Sequence, residues 1–273
     1  MLLKIQLSLA QILIFCHIYG FANAKPMVGQ DISNITEGYL TLVVSLRKIN
    51  PGNVEVEKDH LSSGVLVSRQ DVLTTSHIME SIPANGFEVV IGSYDLRSGT
   101  RYFPFWWITF DEWATIYSVP VETQLNDIAI VRLLRPVPNE IIPATISPLP
   151  VENLYWANVL IAAWGKVEDG NYSRFLRSTI LTVITNDFCA LKIKVVRGFD
   201  VLVPKNIICS IRIPYAIMTA GDSGGPIFFN GKLVAIHKAT CLYPNEFINP
   251  NKINMHMSLH FYRNFISNVI NFL

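Results

Sequence analysis

The segment Ala220–Pro226, with the sequence AGDSGGP, constrains this chain more than any other stretch. Glycines on both sides of Ser223 allow the backbone the unusual dihedral angles of a tight turn. A serine hydroxyl in such a turn becomes a nucleophile only when a neighbouring base removes its proton. The backbone N–H groups of Gly221 and Ser223, if they converge, would stabilise the charge that develops on an attacked carbonyl oxygen. Alone, the segment predicts either an ordinary glycine-rich loop or a nucleophilic site.

Two further stretches supply the partners that a nucleophilic serine requires. The sequence LTTSH ends at His77, and the sequence NDIAIVRL contains Asp127. An imidazole can take the hydroxyl proton of Ser223, and a carboxylate can orient that imidazole and stabilise its charged form. A lone residue of any of these types is more often a packing, capping or turn residue. The three together, in these contexts, favour the catalytic interpretation.

With these motifs in the order His77, Asp127, Ser223, the chain resembles the chymotrypsin/trypsin-type serine proteases. Members of that family carry LTAAH, NDIALxxL and GDSGGP in the same order, and the resemblance covers essentially the whole chain after residue 24. It implies an all-β fold of two packed six-stranded antiparallel β-barrels with a C-terminal helix. It also implies an oxyanion hole formed by the N–H groups of Gly221 and Ser223. Asp222 would pair with the N-terminal amine that activation frees, because a buried carboxylate requires an opposite charge.

The rest of the sequence agrees with this fold class. Short runs rich in β-branched and apolar residues predict strands at Leu40–Leu46, Gly64–Val67, Phe87–Ile91, Ile128–Leu133, Val159–Ala163, Ile180–Ile184 and Leu233–Ile236. Apolar residues at spacings of three and four predict an amphipathic helix over Leu259–Phe272, and no earlier long segment shows helical periodicity. Five prolines between Leu134 and Val151 mark the connection between the two halves.

Residues 1–24 have the features of a secretory signal peptide, with Lys4 ahead of an apolar run and a small-x-small cleavage site at Ala22–Ala24. Polar residues interrupt the run and no basic cluster follows it, which favours a cleaved signal over a membrane anchor. We therefore expect a secreted, extracellular protein. The residues after the signal are enough for one large β domain.

The resemblance further implies activation by a cut just before a sequence of the form Ile-Val-Gly-Gly. Here Met27 begins the matching sequence Met-Val-Gly-Gln, and Pro26 stands where Arg or Lys is usual. We treat residues 25–26 as a candidate short propeptide and residues 27–273 as the protease domain, and we predict that an X-Pro dipeptidase removes residues 25–26. The alternative is that this protein is not activated in the usual way.

Three residues decide what the resemblance implies about specificity. The family has the floor of its specificity pocket six residues before the nucleophile, where an aspartate selects Arg or Lys. Ile217 occupies that position and Thr240 stands where a glycine is usual, which predicts cleavage after small or medium apolar residues. Lys238 is expected close to Asp127, where its charge would compete with that of His77. The alternative is that Lys238 extends to solvent.

Three cysteines remain after the signal peptide, an odd number for a secreted chain. The resemblance pairs Cys189 with Cys209 near the substrate cleft, and closing this loop would contribute about 3 kcal/mol in the chain-entropy model. Cys241 is then either a free thiol or the partner of an intermolecular disulfide. Asn34 and Asn171 begin N-glycosylation sequons, which predict surface sites in a secreted chain or arise by chance.

Charge and metal-ligand spacing limit the partners. A formal net charge of +1 gives no argument for a nucleic-acid or membrane partner. No cysteine or histidine pair has the spacing of metal ligands, so no metal or cofactor is predicted. The expected partners are a protein or peptide substrate and a protein inhibitor.

Two functions agree with these observations. The first is a secreted serine endopeptidase, made as a zymogen, that hydrolyses peptide bonds by Ser-His-Asp acyl transfer. The second is a catalytically silent serine protease homologue that acts as a binding or regulatory protein. An esterase with the same chemistry is a third alternative. The complete set of catalytic residues favours an enzyme, whereas Met27, Pro26 and Lys238 favour the silent homologue.

Overall fold

The computed structural model describes residues 27–29, 32–34, 40–50, 52–83, 86–123, 125–167, 170–241 and 252–272. The predicted signal peptide and propeptide, residues 1–26, lie outside the described residues.

Strands dominate the described part of the chain. In chain order they are β1 (Val28–Gly29), β2 (Ser33–Asn34), β3 (Val43–Lys48), β4 (His60–Leu66), β5 (Asp71–Thr74), β6 (Phe87–Ile91), β7 (Thr100–Tyr102), β8 (Pro104–Thr109), β9 (Ala129–Leu133), β10 (Asn158–Ala163), β11 (Arg177–Ile184), β12 (Ile207–Ile211), β13 (Ala216–Ile217), β14 (Pro226–Phe229), β15 (Lys232–Cys241) and β16 (Ile253–Ser258). The α-helices are α1 (Ser76–Ser81), α2 (Phe110–Ile116), α3 (Asn186–Arg197) and α4 (Arg263–Phe272).

Most of these strands form two barrel-like antiparallel sheets, one from each half of the chain except that β2, from the N-terminal half, joins the second sheet. The first sheet has the order β7-β6-β3-β4-β5-β9-β8. The second has the order β10-β14-β15-β16-β12-β11-β2, and β10 also pairs with β11, which closes six strands into a ring. The prediction of two antiparallel barrels followed by a C-terminal helix is confirmed, with a seventh strand added to each sheet.

Each predicted strand overlaps an observed one, and Phe87–Ile91 matches at both ends. The prediction that no long helical segment precedes the C-terminal one was wrong, because α3 is a helix of twelve residues. Its ends carry recognisable signals: the Thr185 hydroxyl accepts from the N–H of Phe188, and Gly198 ends the helix in the left-handed region with a φ of 78°. The terminal helix begins at Arg263, since the chain turns before it.

The predicted disulfide between Cys189 and Cys209 is present, and it joins α3 to β12. Cys241 is 3% exposed. An intermolecular disulfide through Cys241 stays a prediction. No helix of the described ranges is long and apolar enough to cross a membrane.

Candidate active site

Two antiparallel strands of the first sheet bring His77 and Asp127 together. Thr74 at the end of β5 is paired with Ala129 at the start of β9, so the residues that follow β5 and precede β9 lie at the same edge. Helix α1 begins at Ser76 and turns the chain at this edge. The imidazole Nδ1 of His77 lies 2.9 Å from Oδ2 and 3.1 Å from Oδ1 of Asp127. The backbone N–H of His77 donates to Oδ1 at 3.0 Å.

The charge of Asp127 follows from its surroundings. Burial alone would raise the pKa of this carboxyl, but the charges of His77 and Lys238 and the hydrogen bonds from His77 hold the pKa well below its usual value. An ionised carboxylate only accepts hydrogen bonds, so Nδ1 of His77 carries the hydrogen. Nε2 is therefore the nitrogen whose lone pair can accept a proton from a hydroxyl group.

Ser223 lies in the loop between β13 and β14, and the first barrel holds this loop in place. The Ser223 carbonyl accepts from the backbone N–H of Ser63 at 2.8 Å and from the Ser62 hydroxyl at 2.7 Å. Gly224 has a φ of +75°, and a Cβ there would lie 2.1 Å from the Ser63 carbonyl oxygen, so only glycine fits. The Ser223 hydroxyl donates to the carbonyl of Lys238 at 3.4 Å.

The backbone N–H groups of Gly221 and Ser223 have no protein acceptor among the residues that the structure describes. The carbonyl of Ala220 accepts from the N–H of Lys166 at 3.0 Å. Because N–H and C=O of a trans peptide point in opposite directions, the N–H of Gly221 points away from that contact. Two unpaired donors on the loop that carries Ser223 match the requirement for stabilising a developing oxyanion.

A buried histidine that the sequence analysis missed orients Gly221. Nε2 of His60 lies 3.0 Å from the Gly221 carbonyl, and Nδ1 lies 2.7 Å from the Ser45 hydroxyl. Burial lowers the pKa of His60 to about 4, so the ring is neutral at neutral pH. A carbonyl only accepts, so Nε2 donates to Gly221 and Nδ1 accepts from Ser45. No signal in the sequence marks His60, because Gly221 is 161 residues away along the chain.

Asp222 is fully buried, and no ion pair to it exists within the described ranges. The backbone N–H groups of Gly165 and Thr219 each donate to its carboxylate at 2.8 Å, yet burial raises the pKa of Asp222 to about 7. Met27 is also fully buried, and the adjacent strand β1 pairs with β13, the strand that precedes the loop of Ser223. The pairing of Asp222 with the amine of Met27 stays a prediction. The positive charge of an amine would stabilise the ionised form of this buried carboxyl.

Lys238 is buried beside the carboxylate of Asp127. Its Nζ lies 3.4 Å from Oδ2, and its side chain is 5% exposed. The alternative that Lys238 extends to solvent is therefore wrong. When His77 is protonated, Asp127 has two cationic neighbours.

The residues predicted to determine specificity lie on the strands that flank Ser223. Ile217 belongs to β13, which leads into the loop of Ser223, and Thr240 lies two residues after Lys238 on β15. Ile217 and Thr240 are 3% and 8% exposed. An isoleucine at this place offers no charge to a basic substrate side chain. The two sequon asparagines, Asn34 and Asn171, are exposed.

Comparison with known proteins agrees with the three motifs. The Trypsin family model matches residues 44–258. The chain belongs to the trypsin family. Serine protease SP24D of Anopheles gambiae is 27% identical to this trypsin-family chain over 184 residues, which are 63% of this chain and 60% of that protein. Trypsin iota of Drosophila melanogaster is 24% identical over 190 residues, 67% of this chain and 70% of that protein.

The fold of this trypsin-family chain also matches solved structures. The scabies mite inactivated protease paralogue S-I1 superposes with a TM-score of 0.66 at 20% sequence identity, covering 87% of this chain and 97% of that one.

Proposed function

We propose that this member of the trypsin family is a secreted serine endopeptidase in which Ser223 is the nucleophile, His77 the general base and Asp127 the residue that orients His77. The observation that carries the proposal is the 2.9 Å hydrogen bond between Nδ1 of His77 and the ionised Asp127, which makes Nε2 the proton acceptor.

The reaction proceeds by acyl transfer. Ser223 Oγ attacks the peptide carbonyl carbon while its proton passes to Nε2 of His77, and the N–H groups of Gly221 and Ser223 stabilise the resulting oxyanion. Nε2 then returns the proton to the leaving amine, which breaks the peptide bond and leaves an ester on Ser223. Water attacks this ester with the same base, releasing the acid and restoring the hydroxyl.

The residues around the site extend the proposal. Ile217 and Thr240 favour small or medium apolar side chains at the cleaved position, and the substrates and inhibitors are proteins or peptides. Residues 1–24 direct secretion, and Asn34 and Asn171 carry glycans. Removal of residues 25–26 frees the amine of Met27, whose charge stabilises Asp222 and completes the oxyanion hole.

The test uses protein that begins at Met27, with Ser223→Ala and His77→Ala as variants. We expect hydrolysis of a peptide whose cleaved position is alanine, and a loss of about 10⁴-fold or more in each variant. Turnover of an ester but not of the peptide would show that the protein is an esterase and not an endopeptidase. Turnover that persists in Ser223→Ala would refute the proposed nucleophile.

One observation favours the second candidate, a silent homologue that acts as a binding or regulatory protein. Lys238 contacts Asp127 and opposes the protonation of His77 that acyl transfer requires. A fold of this kind is compatible with inactivity, since one of the similar solved structures is described as an inactivated paralogue. A wild-type protein that turns over neither peptide nor ester, and gains turnover when Lys238 is replaced, would support this candidate.

A further inference from the structure

Helix α3 carries large apolar side chains on its outer side as well as on its buried side. Cys189 and Ile193 are buried and belong to the hydrophobic core. Leu191 and Val195, on the outer side, are 54% and 65% exposed. A surface helix normally turns polar residues toward water, and contiguous exposed apolar residues mark an interaction surface. The outer side of α3 is therefore a candidate binding surface.

Phe188, Leu191 and Val195 lie in one row along this outer side. At about 3.6 residues per turn, they fall within about 60° of one another around the helix axis. Phe188 is partly exposed, and the centroid of its ring lies 5.6 Å from that of Trp156, which is 56% exposed. These four side chains are contiguous, and together they form the apolar face of α3.

The backbone of Trp156 has a conformation that bulky residues rarely adopt. Its φ is 64°, in the left-handed region, where glycine or asparagine is less strained. The N–H of Trp156 donates to the carbonyl of Val183 at 2.8 Å, and the N–H of Val183 donates to the carbonyl of Ala157 at 3.0 Å, so β11 holds this conformation. More than half of the side chain stays exposed, so core packing does not account for a tryptophan here. A strained residue of this kind points to a function for its side chain.

Lysines flank the apolar face on both sides. Around the helix axis, Lys192 lies about 40° beyond Phe188, and Lys194 lies about 60° beyond Leu191 in the opposite direction. Nζ of Lys192 is 5.7 Å from the centroid of the Phe188 ring. Nζ of Lys194 is 2.8 Å from Oδ1 of Asp200, but both side chains of this pair are exposed, so another anion can replace the carboxylate at little cost. The outer side of α3 thus presents apolar side chains between two cations.

We propose that the apolar face of α3 docks on an anionic phospholipid surface, with its apolar side chains at the level of the headgroups and Lys192 and Lys194 among the lipid phosphates. Aromatic and aliphatic side chains flanked by lysines are typical of helices that lie in the plane of a membrane interface, and tryptophan favours that level. The formal net charge of +1 does not reveal such a surface, because attraction to anionic lipids acts only within about 10 Å of the membrane and depends on nearby lysines.

A second copy of the chain fits the apolar face less well than a lipid surface does. In a symmetric dimer the same residues meet from both copies, so Lys192 of each copy would be desolvated at one apolar contact. At a membrane interface a lysine keeps its ammonium group among water and phosphates while its aliphatic stem covers apolar surface. The inference does not depend on the proposed endopeptidase activity.

The test is cosedimentation of protein without residues 1–24 with vesicles of phosphatidylcholine, alone or mixed with phosphatidylserine. We expect the partition coefficient to be at least about 10-fold higher for the mixed vesicles at low salt, and the difference to disappear in about 1 M salt. Brominated lipid in the mixed vesicles should quench part of the tryptophan fluorescence. Trp156→Phe should remove that quenching, since Trp156 is the tryptophan of the apolar face.

Two double variants test the two components of the surface. Leu191→Ser with Val195→Ser should lower the partition coefficient about 10-fold. Lys192→Gln with Lys194→Gln should lower the preference for phosphatidylserine about 10-fold. Urea unfolding of the same samples checks that each variant is folded.

Matched controls come from exposed positions outside α3. Ile142→Ser and Lys232→Gln remove an exposed apolar residue and an exposed lysine, and both variants should bind vesicles as wild type does.

Four results would overturn the proposal. These are no binding to mixed vesicles, equal binding to both kinds of vesicle, binding that the double variants retain, and an equal loss of binding in the control variants. Dimerisation without lipid, seen by sedimentation velocity and abolished by Leu191→Ser with Val195→Ser, would assign the apolar face to a second copy and would also overturn it. Vesicle binding by a protein that turns over no peptide supports the proposal and refutes only the endopeptidase.

Discussion

Replacing Lys238 by methionine is the most informative perturbation of the site. Methionine keeps an unbranched side chain of similar length and removes the ammonium group. Nζ of Lys238 and Nδ1 of His77 contact the same oxygen of Asp127, so the two nitrogens are at most about 6 Å apart, a separation at which two unit charges repel by roughly 3 kcal/mol at an effective dielectric constant of about 20. This repulsion exists only while His77 is protonated, as it is during acylation.

Lys238→Met should therefore accelerate acylation of Ser223. We expect the rate to rise about 10- to 100-fold, since structural relaxation absorbs part of the repulsion. Asp127 keeps its hydrogen bonds from Ser76 and His77, so the free energy of unfolding should fall by only about 1–2 kcal/mol.

The assay is the second-order rate constant for inactivation by a small fluorophosphonate, measured at neutral pH. Lys232→Met is the matched control, because Lys232 is an exposed lysine on the same strand, β15, and should leave the rate unchanged. A Lys238→Met rate equal to or below that of wild type would contradict the electrostatic reasoning. Urea unfolding of the same samples checks that both variants are folded.

Three further predictions concern stability. The pKa of the Asp222 carboxyl is near 4 in the unfolded chain and about 7 in the folded, uncut chain, so between these pH values the unfolded state binds fewer protons. The unfolding free energy should therefore fall as pH rises from 4 to 7, by no more than about 4 kcal/mol. Asp222→Asn should abolish this pH dependence of the unfolding free energy in urea titrations. Gly165→Ala should cost more than about 3 kcal/mol of unfolding free energy, because the new Cβ would lie 2.3 Å from the Asp222 carboxyl, and an unchanged urea midpoint would refute that packing. Replacing Cys189 and Cys209 together by serine should lower the unfolding free energy by about 3 kcal/mol, and a loss below about 1 kcal/mol would show that the loop is already constrained when unfolded.

The fold and the pairing of His77 with Asp127 were predicted from the resemblance of three short motifs to those of the chymotrypsin/trypsin-type proteases. Both residues adjoin strands with clear sequence signals. The register of β5 against β9 pairs Thr74 with Ala129 and so brings His77 and Asp127 to the same edge of the sheet. Helix α3 was missed even though Thr185 and Gly198 mark its ends, because its apolar positions do not form a clean helical stripe.

The contacts that position Ser223 could not be predicted in the same way. His60 and Ser62 act through the backbone carbonyls of Gly221 and Ser223, which are far away in sequence, and a carbonyl accepts from any donor of the right geometry. Because every residue has a backbone carbonyl, the type of the contacted residue does not reveal that a side chain donates to it. Only the packing of the two barrels reveals these residues.

The central claim is that Ser223 is a nucleophile activated by His77 and Asp127. The most direct measurement is peptide mapping by mass spectrometry after a peptidyl phosphonate with an alanine side chain has reacted with protein that begins at Met27. We predict one adduct per chain, located on Ser223, and no adduct in Ser223→Ala or His77→Ala. No adduct in wild type, or an adduct on another residue, would contradict the claim.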